Sequence, residues 1–156
     1  MRPVVSLPHP RVHAAESIDT PFGVFPLDRA AAVEFPSGLP GFEQCGRFVL
    51  LAPEELGPFS CLHAVEGPPA SFLVVDPREV VPDYHLALSQ TDFLRLGCHP
   101  GEPVILLSLV GFDEAGAPYA NLRAPIAINP ARMRGCQVLP HQSPHLLRCP
   151  LSIAPR

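Results

Sequence analysis

The chain has 156 residues, 47% of them hydrophobic, so we expect a single globular domain whose core needs no metal or disulfide. Its formal net charge is −4 and its basic residues are scattered arginines, which disfavours direct binding to nucleic acid. Its 22 prolines run from end to end. Because proline breaks helix interiors, they exclude long helices and favour short strands joined by turns.

The first 16 residues differ from the rest of the chain. They contain three prolines and two histidines and show little periodicity, so we predict that residues 1–16 form a flexible N-terminal extension. Residues 17–156 are predicted to form one domain. The start of the chain lacks the apolar segment of a signal peptide, and the longest apolar runs are far too short to span a bilayer. These features predict a cytoplasmic protein with no membrane contact, whose five cysteines stay reduced.

Short strand patterns follow one another along the domain, with turn residues between them. The continuous apolar run 72–75 is typical of a strand buried on both faces, and residues 113–118 are typical of a hairpin turn. The predicted strands are 20–25, 32–35, 47–51, 59–65, 72–75, 84–88, 103–111, 119–122, 125–129, 136–139 and 146–148.

One short helix is predicted after Ser89, which caps it, and Asp92 completes an approximate capping box. Phe93, Leu94 and Leu96 supply an apolar stripe, and Gly97 suits the position after the last helical residue. Many short strands with a single short helix predict a mostly-β fold. We expect a small antiparallel β-barrel-like single domain, because an open sheet would leave its edges unprotected.

Catalytic motifs are absent from the sequence. It contains no G-x-S-x-G, P-loop, H-E-x-x-H or G-x-G-x-x-G pattern, so we predict that the protein is not an enzyme and uses no cofactor. Cys61 and His63 share a face of a predicted strand, which is the arrangement of a nucleophile and its base. The surrounding residues are apolar, and a buried structural cysteine is the favoured interpretation.

Four potential metal ligands lie near the C-terminus, with the spacing C-x4-H-x3-H-x3-C: Cys136, His141, His145 and Cys149. Cysteine and histidine are the preferred ligands of zinc. The alternative hypothesis is therefore a zinc-binding or thiol enzyme that uses this cluster, or a structural zinc site within a binding protein. The spacing is not that of a common zinc motif, so solvated histidines and half-buried thiols are favoured.

An ordered set of motifs covers residues 18–151, and the most specific of them is ANLRAPIAIN at 120–129. The other motifs are FPSGLPGF at 35–42, RFVLL at 47–51, PF at 58–59, FLVVDP at 72–77, DY at 83–84, GCQV at 135–138 and CPL at 149–151. This ordered set resembles the bacterial flagellar assembly factor (FliW) family. Residues 1–16 and the stretch 139–148, rich in proline and histidine, depart from the pattern of the family.

The resemblance implies a binding protein with a small β-barrel-like fold and two partners. Members of this family bind newly made flagellin, and they antagonise the translational regulator CsrA, the carbon storage regulator, which represses flagellin translation. The resemblance thus implies that flagellin translation is coupled to flagellin export. An acidic domain suits a basic protein partner, and apolar grooves or strand edges suit the amphipathic terminal helices of flagellin.

Four residues of the most specific motif are predicted to contact a partner: Asn121, Arg123, Pro125 and Asn129. Asparagine and arginine side chains form directional hydrogen bonds across protein interfaces. In the competing interpretation, the asparagines stabilise turns and Pro125 shapes a strand edge. The sequence leaves these two interpretations equally open.

Overall fold

Strands are the main regular secondary structure of residues 16–152, the part of the chain that the computed structural model describes. The helix α1 spans Gln90–Leu96, and three short 3-10 helices span Arg29–Ala31, Glu54–Leu56 and Pro77–Glu79. The strands are β1 (Glu16–Thr20), β2 (Gly23–Leu27), β3 (Val33–Glu34), β4 (Arg47–Leu51), β5 (Phe59–Ala64), β6 (Ser71–Val75), β7 (Ile105–Phe112), β8 (Pro118–Ala120), β9 (Ile126–Asn129), β10 (Arg134–Gln137) and β11 (Cys149–Pro150).

The long strand β7 closes the sheet. It pairs antiparallel with β6, where Val74 lies opposite Leu109, and with β9, where Ile105 lies opposite Ile128. The ring then runs through β3, β4, β5, β6, β7, β9 and β10, and returns to β3. This confirms the predicted mostly-β, barrel-like fold. The pairing of β3 with β10 is parallel, whereas the other strand pairs are antiparallel.

The main hydrophobic core lies inside this ring. Alternate residues of the ring strands contribute to it, and among the fully buried ones are Phe35, Phe48, Leu62, Val74 and Ile126. Phe35 and Phe48 meet edge to face with ring centroids 5.0 Å apart. The Phe35 ring also lies over Gly135 of β10, where a Cβ atom would stand 2.6 Å from the ring. A side chain at position 135 would therefore displace Phe35 from the core.

A second core lies on the outer face of β5 and β6. Cys61 and Leu73 point out of the ring there and are covered by Phe25 of β2, Leu56 and Tyr84. The pair β1–β2 forms a separate two-stranded sheet. The strand period of two thus sends alternate residues of β5 into two different cores.

The helix α1 is held at both ends, as the sequence predicts. The Ser89 hydroxyl accepts from the Asp92 amide and the Asp92 carboxylate accepts from the Ser89 amide, which completes the capping box. Gly97 ends the helix in the left-handed conformation, with φ of 68°. Leu96 is fully buried against β9 and β10, so packing holds this seven-residue helix in place.

Two predicted strands are wrong and a third is displaced. The predicted strand 20–25 includes the turn between β1 and β2, where the Thr20 hydroxyl accepts from the Phe22 amide and donates to the Gly23 carbonyl, and only its residues 23–25 lie in β2. Residues 84–88 have no strand partner. Residues 146–148 precede β11, the short strand that pairs with β8. The predicted N-terminal extension lies outside the described residues except for Glu16, which begins β1.

We predict that Leu96→Ala lowers the free energy of unfolding by about 2–5 kcal/mol, because it opens a cavity under α1. Leu94 is 73% exposed on the same helix, so Leu94→Ala is the matched control and should change stability by less than about 0.5 kcal/mol. Urea unfolding followed by circular dichroism measures both. Equal effects of the two substitutions would contradict this packing.

Candidate interaction surface

The four residues predicted to contact a partner occupy two different environments. Arg123 is exposed, and the Asn121 carboxamide oxygen accepts hydrogen bonds from the Arg123 and Ala124 amides at 3.1 and 3.0 Å. Pro125 is buried, and Asn129 is 1% exposed. Asn121 therefore shapes the turn that presents Arg123. Direct partner contact by this set stays a prediction, with Arg123 as its most exposed member.

Asn129 links the barrel to the helix. Its amide nitrogen donates to the Leu96 carbonyl at 2.9 Å, and its carboxamide oxygen accepts from the Ala131 amide. The carbonyl at the end of a helix lacks an intrahelical donor, and Asn129 supplies one. The conformation of α1 thus depends on a residue of β9. A substitution at position 129 should therefore alter the helix and the surface that it presents.

The structure disperses the Cys/His cluster predicted near the C-terminus. Cys136 is buried against α1, His141 is exposed, and Cys149 is half-buried in β11. The His145 ring lies 4.4 Å from the Tyr84 ring, and its Nε2 is 2.8 Å from the His85 carbonyl oxygen. Within residues 16–152 no group of three or more His, Cys, Asp or Glu residues is placed to hold a metal ion. The zinc alternative therefore has no site in the described part of the chain.

Cys61 and His63 lie on one face of β5, as predicted, and both side chains are buried. The His63 Nδ1 lies 2.6 Å from the Ser71 hydroxyl, directly across the β5–β6 pair. Burial raises the pKa of the Cys61 thiol to about 11 and lowers the pKa of His63. Cys61 is thus a neutral thiol at neutral pH, and a nucleophilic thiolate is not available there.

His63 should make stability depend on pH. Folding depresses its pKa below 6.5, so the unfolded chain binds this proton more readily. We expect the free energy of unfolding to fall as the pH drops from 6.5 through the lower pKa of the folded state. His63→Gln should remove this component, whereas the matched control His141→Gln, at an exposed site, should retain it. Chemical denaturation between about pH 5 and 8 measures the slope. Identical slopes for His63→Gln and wild type would contradict the assignment.

The thiols should differ in reactivity with a chromogenic disulfide reagent. Cys149 is half-buried, whereas Cys45, Cys61, Cys98 and Cys136 are buried. We expect one fast thiol in the native protein and all five after denaturation. Cys149→Ser should abolish the fast phase, and Cys98→Ser should leave it unchanged. A fast phase that persists in Cys149→Ser would show that a buried thiol is activated.

An open groove lies beside α1. It has a volume of about 460 Å³ and is lined by residues 85–88, Phe93, Gly101, Glu102, Val104 and Leu106. The segment 85–88 alternates between exposed and half-buried residues, and residues 86–88 form no backbone hydrogen bond with another described residue. We name this feature the first groove. Its lining is mostly apolar, with Glu102 as its carboxylate.

A second, smaller groove lies on the other side of the helix. It has a volume of about 170 Å³ and is lined by Ser37, Gly38, Pro40, Glu43, Arg95, Gln137 and Leu139. Phe93 and Arg95 line different grooves because residues two positions apart in an α-helix are separated by about 200° around its axis. Leu94 lies between them and is 73% exposed. The helix is therefore a ridge between two grooves.

The sequence-based prediction did not include this ridge. It placed Phe93, Leu94 and Leu96 in one apolar stripe, but on a helical wheel Leu94 lies about 130° from the midpoint of the other two. That position predicts an exposed leucine on the side of the helix that faces away from the core. A wheel projection would have identified the ridge from the sequence.

The geometry first defines a class of protein: a closed β-barrel domain with two surface grooves and mostly buried thiols. No helix of the described residues is long and apolar enough to cross a membrane. The comparisons give the family. The model of the FliW protein family matches residues 16–151, so the chain belongs to the FliW family of flagellar assembly factors.

Curated relatives agree with this assignment. A flagellar assembly factor FliW from Geobacter sulfurreducens is 37% identical over 123 residues, which cover 77% of this chain and 76% of the relative. Another from Natranaerobius thermophilus is 33% identical over 132 residues, with 83% and 87% covered. A crystal structure of the flagellar assembly factor FliW superposes with a TM-score of 0.75 at 27% identity, over 88% of this chain and 100% of that one.

Proposed function

We propose that this flagellar assembly factor acts in the cytoplasm by binding two proteins, newly made flagellin and the translational regulator CsrA. Binding to the regulator relieves its repression of flagellin translation. Accumulating flagellin occupies the factor and frees the regulator, so translation follows export. The factor works in this scheme by occupancy, with no chemical step of its own.

The observation that carries the proposal is the exposed ridge of α1 beside the apolar first groove. Apolar grooves of this kind receive amphipathic helices of protein partners. We assign the first groove to flagellin, whose terminal helices have an apolar face. Ala87 lies exposed in the lining and forms no backbone hydrogen bond with another described residue, so its side chain can be changed without disturbing the barrel.

A second line of support is electrostatic. The chain has a formal net charge of −4, and complementary charge steers association with a basic protein such as the regulator. Arg123 stands exposed on its turn and is proposed to contact a partner directly, with Asn121 holding the turn in place. Buried Pro125 and Asn129 contribute through the fold.

Isothermal titration against flagellin and CsrA of the same organism tests the proposal. We expect the protein to bind each partner, and bound flagellin to weaken binding of the regulator, with a reciprocal effect on flagellin. Ala87→Arg places a long charged side chain in the first groove and should weaken flagellin binding by about tenfold or more. Arg123→Ala should weaken binding of at least one partner several-fold.

The matched control is Ala115→Arg, which makes the same charge change in the exposed turn between β7 and β8. It should leave both affinities unchanged. Binding to flagellin alone would contradict the part of the proposal that concerns the translational regulator. Failure to bind either partner would contradict the proposal as a whole, and equal effects of Ala87→Arg and Ala115→Arg would contradict the assignment of the groove.

A further inference from the structure

Three arginines gather at the C-terminal end of α1. Arg95 lies in the last turn of the helix, Arg132 lies in the turn from β9 to β10, and Arg134 begins β10. A Cβ atom on Gly97 would stand 3.2 Å from the Arg132 Cδ and 3.4 Å from the Arg134 Nη1. The last two side chains therefore fold over the same glycine, from different parts of the chain.

No carboxylate neutralises this cluster within the described residues. The salt bridges among the described residues join Arg29 to Glu16, Arg47 to Glu66 and Arg78 to Asp76, all in the first half of the chain. The Arg134 Nε is buried and has no hydrogen-bond partner among the described residues. A buried donor without an acceptor costs free energy, and an acceptor group supplied by a partner would reduce that cost.

The end of the helix does not account for the arginines. Positive side chains often lie there because they bond to the last carbonyl groups. Here those carbonyls already have donors: the Phe93 carbonyl accepts from the Cys98 amide, the Leu94 carbonyl from the Gly97 amide, and the Leu96 carbonyl from Asn129. Arg95 instead donates to the Gln137 carbonyl at 3.3 Å, across the second groove.

Two exposed leucines flank the arginines. Leu94 on the ridge is 73% exposed, and Leu139, which lines the second groove with Arg95, is 61% exposed. An exposed leucine beside an arginine that forms no salt bridge complements a partner segment that carries an apolar residue beside a carboxylate. Arginine binds carboxylates through two parallel hydrogen bonds, which gives such a contact its direction.

We propose that Arg95, Arg132 and Arg134, with Leu94 and Leu139, form a docking surface for an acidic amphipathic segment of a partner protein. Carboxylates of the segment bind the guanidinium groups, and its apolar residues cover the two leucines. A nucleic acid fits less well, because the two exposed leucines offer no contact to a phosphate backbone. The surface shares Leu94 of the ridge with the flagellin-binding surface proposed above, but its three arginines do not line the first groove.

Fluorescence polarisation with the full-length protein tests the surface. The probe is a labelled amphipathic peptide of leucine and glutamate, compared with the same peptide carrying glutamine for glutamate and with labelled oligothymidylate. We expect the glutamate peptide to bind, with an affinity that falls as sodium chloride is raised. The double variant Arg95→Glu/Arg132→Glu should weaken its binding by about tenfold or more, whereas Arg95→Lys/Arg132→Lys should retain part of it.

The control is Arg148→Glu, which reverses the charge of an exposed arginine. Arg148 stacks on Tyr119 of β8, at the opposite end of β7. It should leave binding of the glutamate peptide unchanged, and circular dichroism should show that each variant is folded. Arg132 is itself exposed, so Arg132→Glu alone serves if the double variant unfolds. Absent binding, equal binding of the glutamine peptide, preference for oligothymidylate, or indifference to the double substitution would each overturn the proposal.

Discussion

The structure depends on one strand, β7, which pairs with two neighbours that are far apart in the chain. Its middle pairs with β6 at Leu109, and its first residues pair with β9 at Ile105. Without the second pairing, the sheet would be open, and both β7 and β9 would present unpaired backbone groups. Closure also creates the interior in which Phe35 packs over Gly135. The main core is thus a consequence of this one pairing.

The helix and its surface depend in turn on the closed ring. A seven-residue helix is too short to be stable alone, so α1 persists because Leu96 is buried and because Asn129 of β9 supplies a donor to its last carbonyl. The ridge and both grooves are therefore attached to β9, the strand whose pairing with β7 closes the barrel. Asn129, which belongs to the most specific family motif, thus positions the surface helix although it is itself buried.

The reactive groups and the charges of the molecule are separated. Cys61 and His63 lie in a core where burial raises the pKa of the thiol and lowers that of the imidazole, so both side chains are neutral at neutral pH. The paired arginines lie in the first half of the chain, whereas the cluster around Gly97 has no ion-pair partner within the described residues. The thiol and the imidazole are therefore buried, whereas Arg132 of the cluster is exposed.

The sequence by itself determined the features that consecutive residues encode. The capping box at Ser89, the strand 47–51 and the hairpin turn after β7 follow from local patterns, and the ordered motifs predicted the family. The tertiary structure decided what depends on distant residues meeting: the closure of the ring, the dispersal of Cys136 and Cys149, and the burial of Asn129. Local patterns follow from backbone sterics and hydrogen bonds between near neighbours. Exposure and long-range pairing instead depend on the path of the whole chain, which no single segment contains.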